Sequence, residues 1–304
     1  SLPHGVSMHR PVRTTATLHA LALSALLVAL PATAAKRHGK AAARGQRTAE
    51  HASKASSSHS TAHGRALAPS RATPDLKSNS FYVLDESTQS VVLARQADVP
   101  MPIASITKLM TALVVVEAHQ PMDEIVTVIP DDRGDTAKTS TSRLEFGTSL
   151  SRSDLLHLAL MASENRAAHA LGRTYPGGIK ACVAAMNAKA KALGMTSAHF
   201  VEPTGLDNEN VASPEDLAKL VSAASAHEII QEYSTDPSYS VPVKRRGTTE
   251  FRNTDALVRN PTWNIIVQKT GYIAEAGRCL VMQVHVSGRP VVMIFLDSKS
   301  KQSR

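Results

Sequence analysis

Short β-rich runs stand at both ends of the foldable part of this chain, and helical spacing fills the stretch between them. Phe81-Tyr82-Val83-Leu84-Asp85 and Ser90-Val91-Val92-Leu93-Ala94 enclose a polar turn and predict a hairpin. Residues 265–270, 280–286 and 290–297 predict three more strands, joined by the turns Glu275-Ala276-Gly277 and Ser287-Gly288-Arg289. Between them, an apolar run from Leu109 to Val116 has helical spacing, with Pro102 placed to open that helix. Ser153-Asp154 is expected to cap a second helix over 155–161, and Gly194 to end a third over 179–193. Ser213-Pro214-Glu215-Asp216 carries a cap, a first-turn proline and first-turn acids. The pattern predicts an α/β chain of the α+β kind. One antiparallel sheet of about five strands is built from both chain ends, and a helical subdomain packs on it.

The net charge of +8 invites a nucleic-acid reading, but its distribution argues against one. Residues 1–35 carry +2, residues 36–77 carry +7, and residues 78–304 carry −1. The positive charge therefore belongs to the tail, and no nucleic-acid partner is expected. From Met8 the chain reads as a secretory leader after a short upstream extension. Arg10 and Arg13 form its charged part, residues 18–30 its apolar part, and Ala32-Thr33-Ala34 its cleavage site. An uncleaved anchor is the alternative; the apolar part is short for a membrane span, and no stable anchor is expected after cleavage. Residues 36–77 are poor in apolar side chains and are expected to form a disordered, basic linker. The ordered domain is placed at 78–304. Cys182 and Cys279 are expected as buried free thiols, with a disulfide as the alternative. The histidines form no compact ligand set with Cys or carboxylates, so neither a metal nor another cofactor is expected.

Ser105 and Lys108 lie three residues apart at the head of the first helix and share one face. A hydroxyl there sits beside free backbone N–H groups and the positive end of a helix dipole. A lysine whose pKa is lowered could take its proton. Alone, the pair reads better as a helix cap and a solvated lysine; Ser298 and Lys301 repeat the spacing in a polar tail with no apolar helix behind it. Two later triplets change the reading. Ser163-Glu164-Asn165 follows the second helix on what is expected to be a loop, and Lys269-Thr270-Gly271 closes a predicted strand. Ser-x-x-Lys, Ser-x-Asn and Lys-Thr-Gly, in this order and separated by 58 and 106 residues, match serine β-lactamases and penicillin-binding proteins.

The stretches ALMASENRAAHALGRTYPGG, AAMNAKAKALGM, FVEPTGLDNENVASPEDLAKL, FRNTDALV and WNIIVQKTGYIAEAGRCLVM carry the likeness further. Over roughly 78–297 the chain resembles the D-alanyl-D-alanine endopeptidases among the low-molecular-mass penicillin-binding proteins. The resemblance implies a β-lactamase/transpeptidase-like fold. It makes Ser105 the acylated nucleophile and Lys108 its base. Ser163 would bond the lysines and pass a proton to the leaving amine, and Asn165 would bind substrate and hold Lys108. Lys269 would be a second cation that, with Thr270, grips the substrate carboxylate. Gly271 would leave room for a substrate strand, and the N–H groups of Ser105 and Tyr272 would form the oxyanion hole. Pro203-Thr204-Gly205-Leu206 resembles the family's loop beside the cleft, while Glu164 and Arg166 are read as an ion pair or surface charges. The implied partners are peptidoglycan stem peptides and β-lactam antibiotics, and the implied location is the periplasm.

The motifs do not separate an endopeptidase from a D-alanyl-D-alanine carboxypeptidase, because a diamino acid at the cross-link keeps a free carboxylate. The overall resemblance favours the endopeptidase. A class A-like β-lactamase is less favoured, since no Glu-x-x-Leu-Asn lies between Ser163 and Lys269; an inactive wall-binding module would have lost one of the motif residues. The family's closing C-terminal helix has no counterpart in 298–304, so the expectation is either a truncated sequence or a bare outer face of the sheet.

Overall fold

The computed structural model describes residues 76–134 and 142–300. The expected leader and most of the expected linker lie outside the described residues.

The strands are β1 (Ser78–Asp85), β2 (Ser90–Arg95), β3 (Met101–Pro102), β4 (Ile125–Thr127), β5 (Ser149–Ser151), β6 (Val211–Ala212), β7 (Ser238–Val243), β8 (Gly247–Arg252), β9 (Asn264–Ile273), β10 (Gly277–Val286) and β11 (Arg289–Ser298). The helices are α1 (Thr107–Glu117), α2 (Arg152–Met161), α3 (Asn165–Arg173), α4 (Gly178–Ala192), α5 (Pro214–Ala224) and α6 (Glu228–Thr235). The main sheet has the order β2-β1-β11-β10-β9. All its pairings are antiparallel, and the last strand sits between the first and the tenth. The expectation of one sheet from both chain ends therefore holds. Phe81 faces Phe295 and Val83 faces Met293 across the central β1–β11 pair.

Alternation along these strands sorts their side chains into two layers. Tyr82, Cys279, Val281, Val292, Ile294 and Leu296 join the main core with the helices. Phe81, Val83, Leu280, Met282, Val291 and Phe295 form a second cluster on the other face, joined by Leu76, Leu93, Leu257, Ile265 and Met293. That outer face is not bare: Phe81, Leu280 and Met282 are 1–2% exposed. Burying each such side chain contributes about 1.5–3 kcal/mol. Cys182 and Cys279 are both buried, and they are not joined in a disulfide. Burial pushes the Cys182 thiol up to about 12.

Several boundaries follow their chemistry. The Gly194 N–H bonds the Lys191 carbonyl at 3.0 Å and the Met195 N–H bonds the Ala190 carbonyl at 2.9 Å. With Gly194 at φ +70°, this closes α4 by the paired bonds of a glycine stop. Ser213 caps α5 by accepting from the Asp216 N–H, with Pro214 in the first turn. Two expectations need correction. Pro102 does not open a helix; it lies in β3, paired with Val211, and fixes the approach to the first helix as a short strand. The cap of α2 is Ser151, not Ser153: Ser151 accepts from the Asp154 N–H, and Asp154 returns a bond to the Ser151 N–H. Ser153 bonds the Tyr233 hydroxyl at 2.5 Å instead.

Candidate active site

Ser105 sits in a single 3₁₀ turn, Ala104–Ile106, that leads into α1. The chain reaches it under constraint. The Ile103 N–H bonds the Asn210 carbonyl at 3.1 Å, and Ala104 adopts φ +49°, rare for a residue with a side chain. The Thr107 hydroxyl donates to the Ala104 carbonyl at 2.8 Å. Two glycines close on this turn. A Cβ on Gly205 would lie 1.9 Å from the Ala104 oxygen, and one on Gly271 would lie 3.0 Å from the Ile103 oxygen and 3.1 Å from the Ser105 nitrogen. Gly271 therefore has a structural role that the sequence did not suggest: it lets β9 approach the backbone that carries Ser105.

Lys108, one helical turn on, is 1% exposed. Its Nζ donates to Ser105 Oγ at 2.9 Å, Asn165 Oδ1 at 2.7 Å and the Thr204 carbonyl at 2.5 Å. Three acceptors match the three protons of an ammonium. Burial pushes its pKa down to about 8, with the carboxylates of Glu202 and Glu164 resisting. A neutral amine would keep two of these bonds and offer its lone pair to the Ser105 hydroxyl.

Ser163 follows the end of α2 at φ +58°. Its hydroxyl accepts from Lys269 Nζ at 2.9 Å. Lys269, fully buried on β9, also donates to the Thr270 carbonyl at 2.8 Å. Lys108 meets Asn165 and not Ser163, so the two lysines divide the Ser-x-Asn motif between them. The motif is not wholly a loop: Asn165 begins α3, with Glu164 as its cap. The Thr270 hydroxyl shares a hydrogen bond of 2.6 Å with Thr254, whose N–H bonds the Met161 carbonyl at 3.1 Å. Tyr272 is 60% exposed on the sheet's edge strand, with the Arg278 guanidinium 4.8 Å from its ring centre.

Two supporting residues, Glu202 and Thr254, were not singled out from the sequence. The Glu202 carboxylate gathers the N–H groups of Thr204, Gly205 and Asp207 and the Asn210 amide. It thereby folds the Pro203–Leu206 loop so that Thr204 meets Lys108 and Gly205 meets Ala104. An acid just before Pro-Thr-Gly was the available signal. Thr254 supports Thr270. Glu164 is no surface charge: it is 7% exposed and accepts from the Ser142 hydroxyl, and burial pushes its carboxyl up. The Arg166 guanidinium turns away to the Leu144 carbonyl at 2.7 Å. Among the described residues no group of three or more His, Cys, Asp or Glu side chains could hold a metal ion.

This arrangement, a serine hydroxyl on a buried lysine with a second lysine on an adjoining hydroxyl, can be set beside known proteins. The D-alanyl-D-alanine endopeptidase of Pseudomonas aeruginosa is 44% identical over 228 residues, covering 75% of this chain and 73% of that protein. The D-alanyl-D-alanine endopeptidase of Escherichia coli is 42% identical over 249 residues, covering 78% and 76%. Among solved structures, a Streptomyces DD-transpeptidase superposes with a TM-score of 0.70 at 27% identity, covering 76% of this chain and 94% of that one. Residues 67–300, which include all three motifs, match the family model described as D-alanyl-D-alanine carboxypeptidase, and the chain belongs to that family of serine peptidases.

Proposed function

We propose that the chain is a serine DD-endopeptidase that cleaves D-alanyl–diamino acid cross-links of peptidoglycan through an acyl-enzyme on Ser105. The observation that carries this is the placement of Lys108 Nζ between Ser105 Oγ and Asn165 Oδ1. Neutral Lys108 takes the Ser105 proton as Oγ bonds to the D-alanine carbonyl carbon. The carbonyl oxygen gains charge against the N–H groups of Ser105 and Tyr272, each worth about 3 kcal/mol in such a hole. The C–N bond then breaks, and the proton that Lys108 took passes by way of Ser163 to the departing amine, leaving Lys108 neutral. Water attacks the ester with Lys108 again as base, and the proton returns to Ser105 Oγ. Lys269 and Thr270 hold the free carboxylate, and Thr254 fixes the Thr270 hydroxyl.

The identity to two endopeptidases supports this choice over a carboxypeptidase, the alternative that the family's description keeps open. The ordered domain, starting near residue 78, would act outside the cytoplasm, in the periplasm, after the leader is removed and with residues 36–77 as a linker. No described helix is long and apolar enough to cross a membrane. Cross-linked muropeptides, followed by chromatography, test the proposal. Loss of dimers with wild type but not with Ser105→Ala is expected. Release of terminal D-alanine alone would replace the endopeptidase with a carboxypeptidase.

A further inference from the structure

Beside the site lies a surface the proposed chemistry does not use. Residues 78–304 carry a net charge of −1, yet cations gather on one side of the Ser-x-Asn motif. Arg166 follows Asn165 in the chain, and its guanidinium stacks 3.9 Å from the centre of the Phe146 ring. Arg133 lies 5.5 Å from the same ring, and Arg143 lies 4.4 Å from the Phe251 ring. Arg143 also donates to the Glu250 carbonyl oxygen, which ties this loop to the β7–β8 hairpin. At the hairpin's turn Arg245 and Arg246 both meet one carboxylate, Glu145, at 3.0 and 3.1 Å through Nε. Their side chains remain 80% and 53% exposed.

Several of the described acids beside these arginines are already engaged: Asp132 is held by Arg173. Glu250 pairs with Arg252, and Glu164 is buried against Ser142. Two exposed guanidinium groups share one carboxylate that is itself only 16% exposed, which leaves an excess of positive charge at the surface. Pairs with such exposed guanidinium ends contribute little stability, so a ligand carboxylate can compete for the arginines at small cost. Contact with the Phe146 and Phe251 rings steadies the guanidinium groups of Arg166, Arg133 and Arg143, and a guanidinium suits two-pronged carboxylate recognition.

We propose that this surface, from Arg166 through Arg143 to Arg245 and Arg246, docks the carboxylates of an acidic cross-linked peptide whose scissile bond lies at Ser105. The proposal rests on the endopeptidase reading and adds what that enzyme would grip outside its cleft. A cross-linked dimer brings carboxylates from two stems, so it should depend on the surface more than a single stem does.

The test is Arg245→Glu/Arg246→Glu, with Arg245→Gln/Arg246→Gln as the milder pair. In about 50 mM salt, kcat/KM for a muropeptide dimer is expected to fall about tenfold, mainly through KM. The loss should shrink at about 0.5 M salt and be absent for a dimer with amidated carboxylates. Penicillin acylation of Ser105 and the melting temperature are expected to stay at wild-type values. Dimer kinetics within about twofold of wild type for both pairs, with normal acylation, would overturn the surface and leave the enzyme reading standing. If wild type takes no penicillin, the enzyme reading fails instead. Dimer binding to Ser105→Ala, followed by fluorescence anisotropy with and without the paired substitutions, still decides on the surface.

Discussion

A buried lysine is both the base that the proposed chemistry needs and a cost to the fold. Burial lowers Lys108 from 10.5 to about 8, a shift that corresponds to about 3 kcal/mol. The reactive form is the neutral amine, which gains population as pH rises. Acylation of Ser105 by penicillin should therefore accelerate with pH and level off above about 8; a flat profile between pH 6 and 9 would remove Lys108 as base. The Glu202 carboxylate opposes the lowering. Glu202→Gln should move the midpoint to lower pH, whereas a midpoint that stays or rises would show that the charge does not reach Lys108. At this scale the sequence was legible in which side chains meet: Ser105, Lys108 and Asn165 in one set, Ser163 and Lys269 in another. It was silent where function needs a backbone state. Nothing in the letters marks Ala104 or Ser163 as left-handed, because tertiary packing imposes those angles against local preference.

At the scale of elements, the strands at the sheet's centre were legible because alternating burial leaves an alternating pattern. The β7–β8 hairpin was missed: Pro242 and the charged turn Lys244-Arg245-Arg246 break the pattern that signals strands. The start of α3 was read as loop because its cap is Glu164, a residue type seldom used there, and its first turn is polar. Caps and side-chain bridges carry measurable weight. Ser151→Ala should cost about 1 kcal/mol in denaturant unfolding by removing the cap of α2, while Ser153→Ala should leave that cap intact. Equal losses for the two would contradict the assignment. Thr254→Val breaks the bridge from the end of α2 to Thr270. It should raise KM for carboxylate-bearing peptides several-fold with little change in kcat; a fall confined to kcat would place Thr254 in the chemistry rather than in substrate binding.

For the molecule as a whole, joining the two chain ends in one sheet holds the strand lysine and the helix serine in register. Cooperative unfolding should then remove site and fold together. Two of the buried ionisable groups, His157 and Asp132, favour the folded state less as the solution turns acid. His157 is stacked between Tyr233 and Tyr239, 4.3 and 4.0 Å between ring centres, and burial pushes its pKa below 6.5 against the pull of Asp236 and Asp154. Burial works to raise Asp132, but bonds from His169, Arg173 and the Ile129 N–H outweigh it and hold the carboxyl below 3.8. Both groups bind fewer protons folded than unfolded, so stability present above these values is lost as pH falls. The melting temperature should drop from about pH 6.5 downward, and His157→Phe should blunt the first part of that drop. Acid sensitivity unchanged by His157→Phe would assign the loss elsewhere.

The central claim is that Ser105, served by Lys108, is the group that becomes acylated. Mass spectrometry of the intact protein and its peptides after penicillin treatment tests it most directly. One penicilloyl adduct is expected on the peptide containing Ser105, absent in Ser105→Ala and strongly slowed in Lys108→Ala. A folded wild-type protein with no adduct, or with its adduct on another residue, would contradict the account.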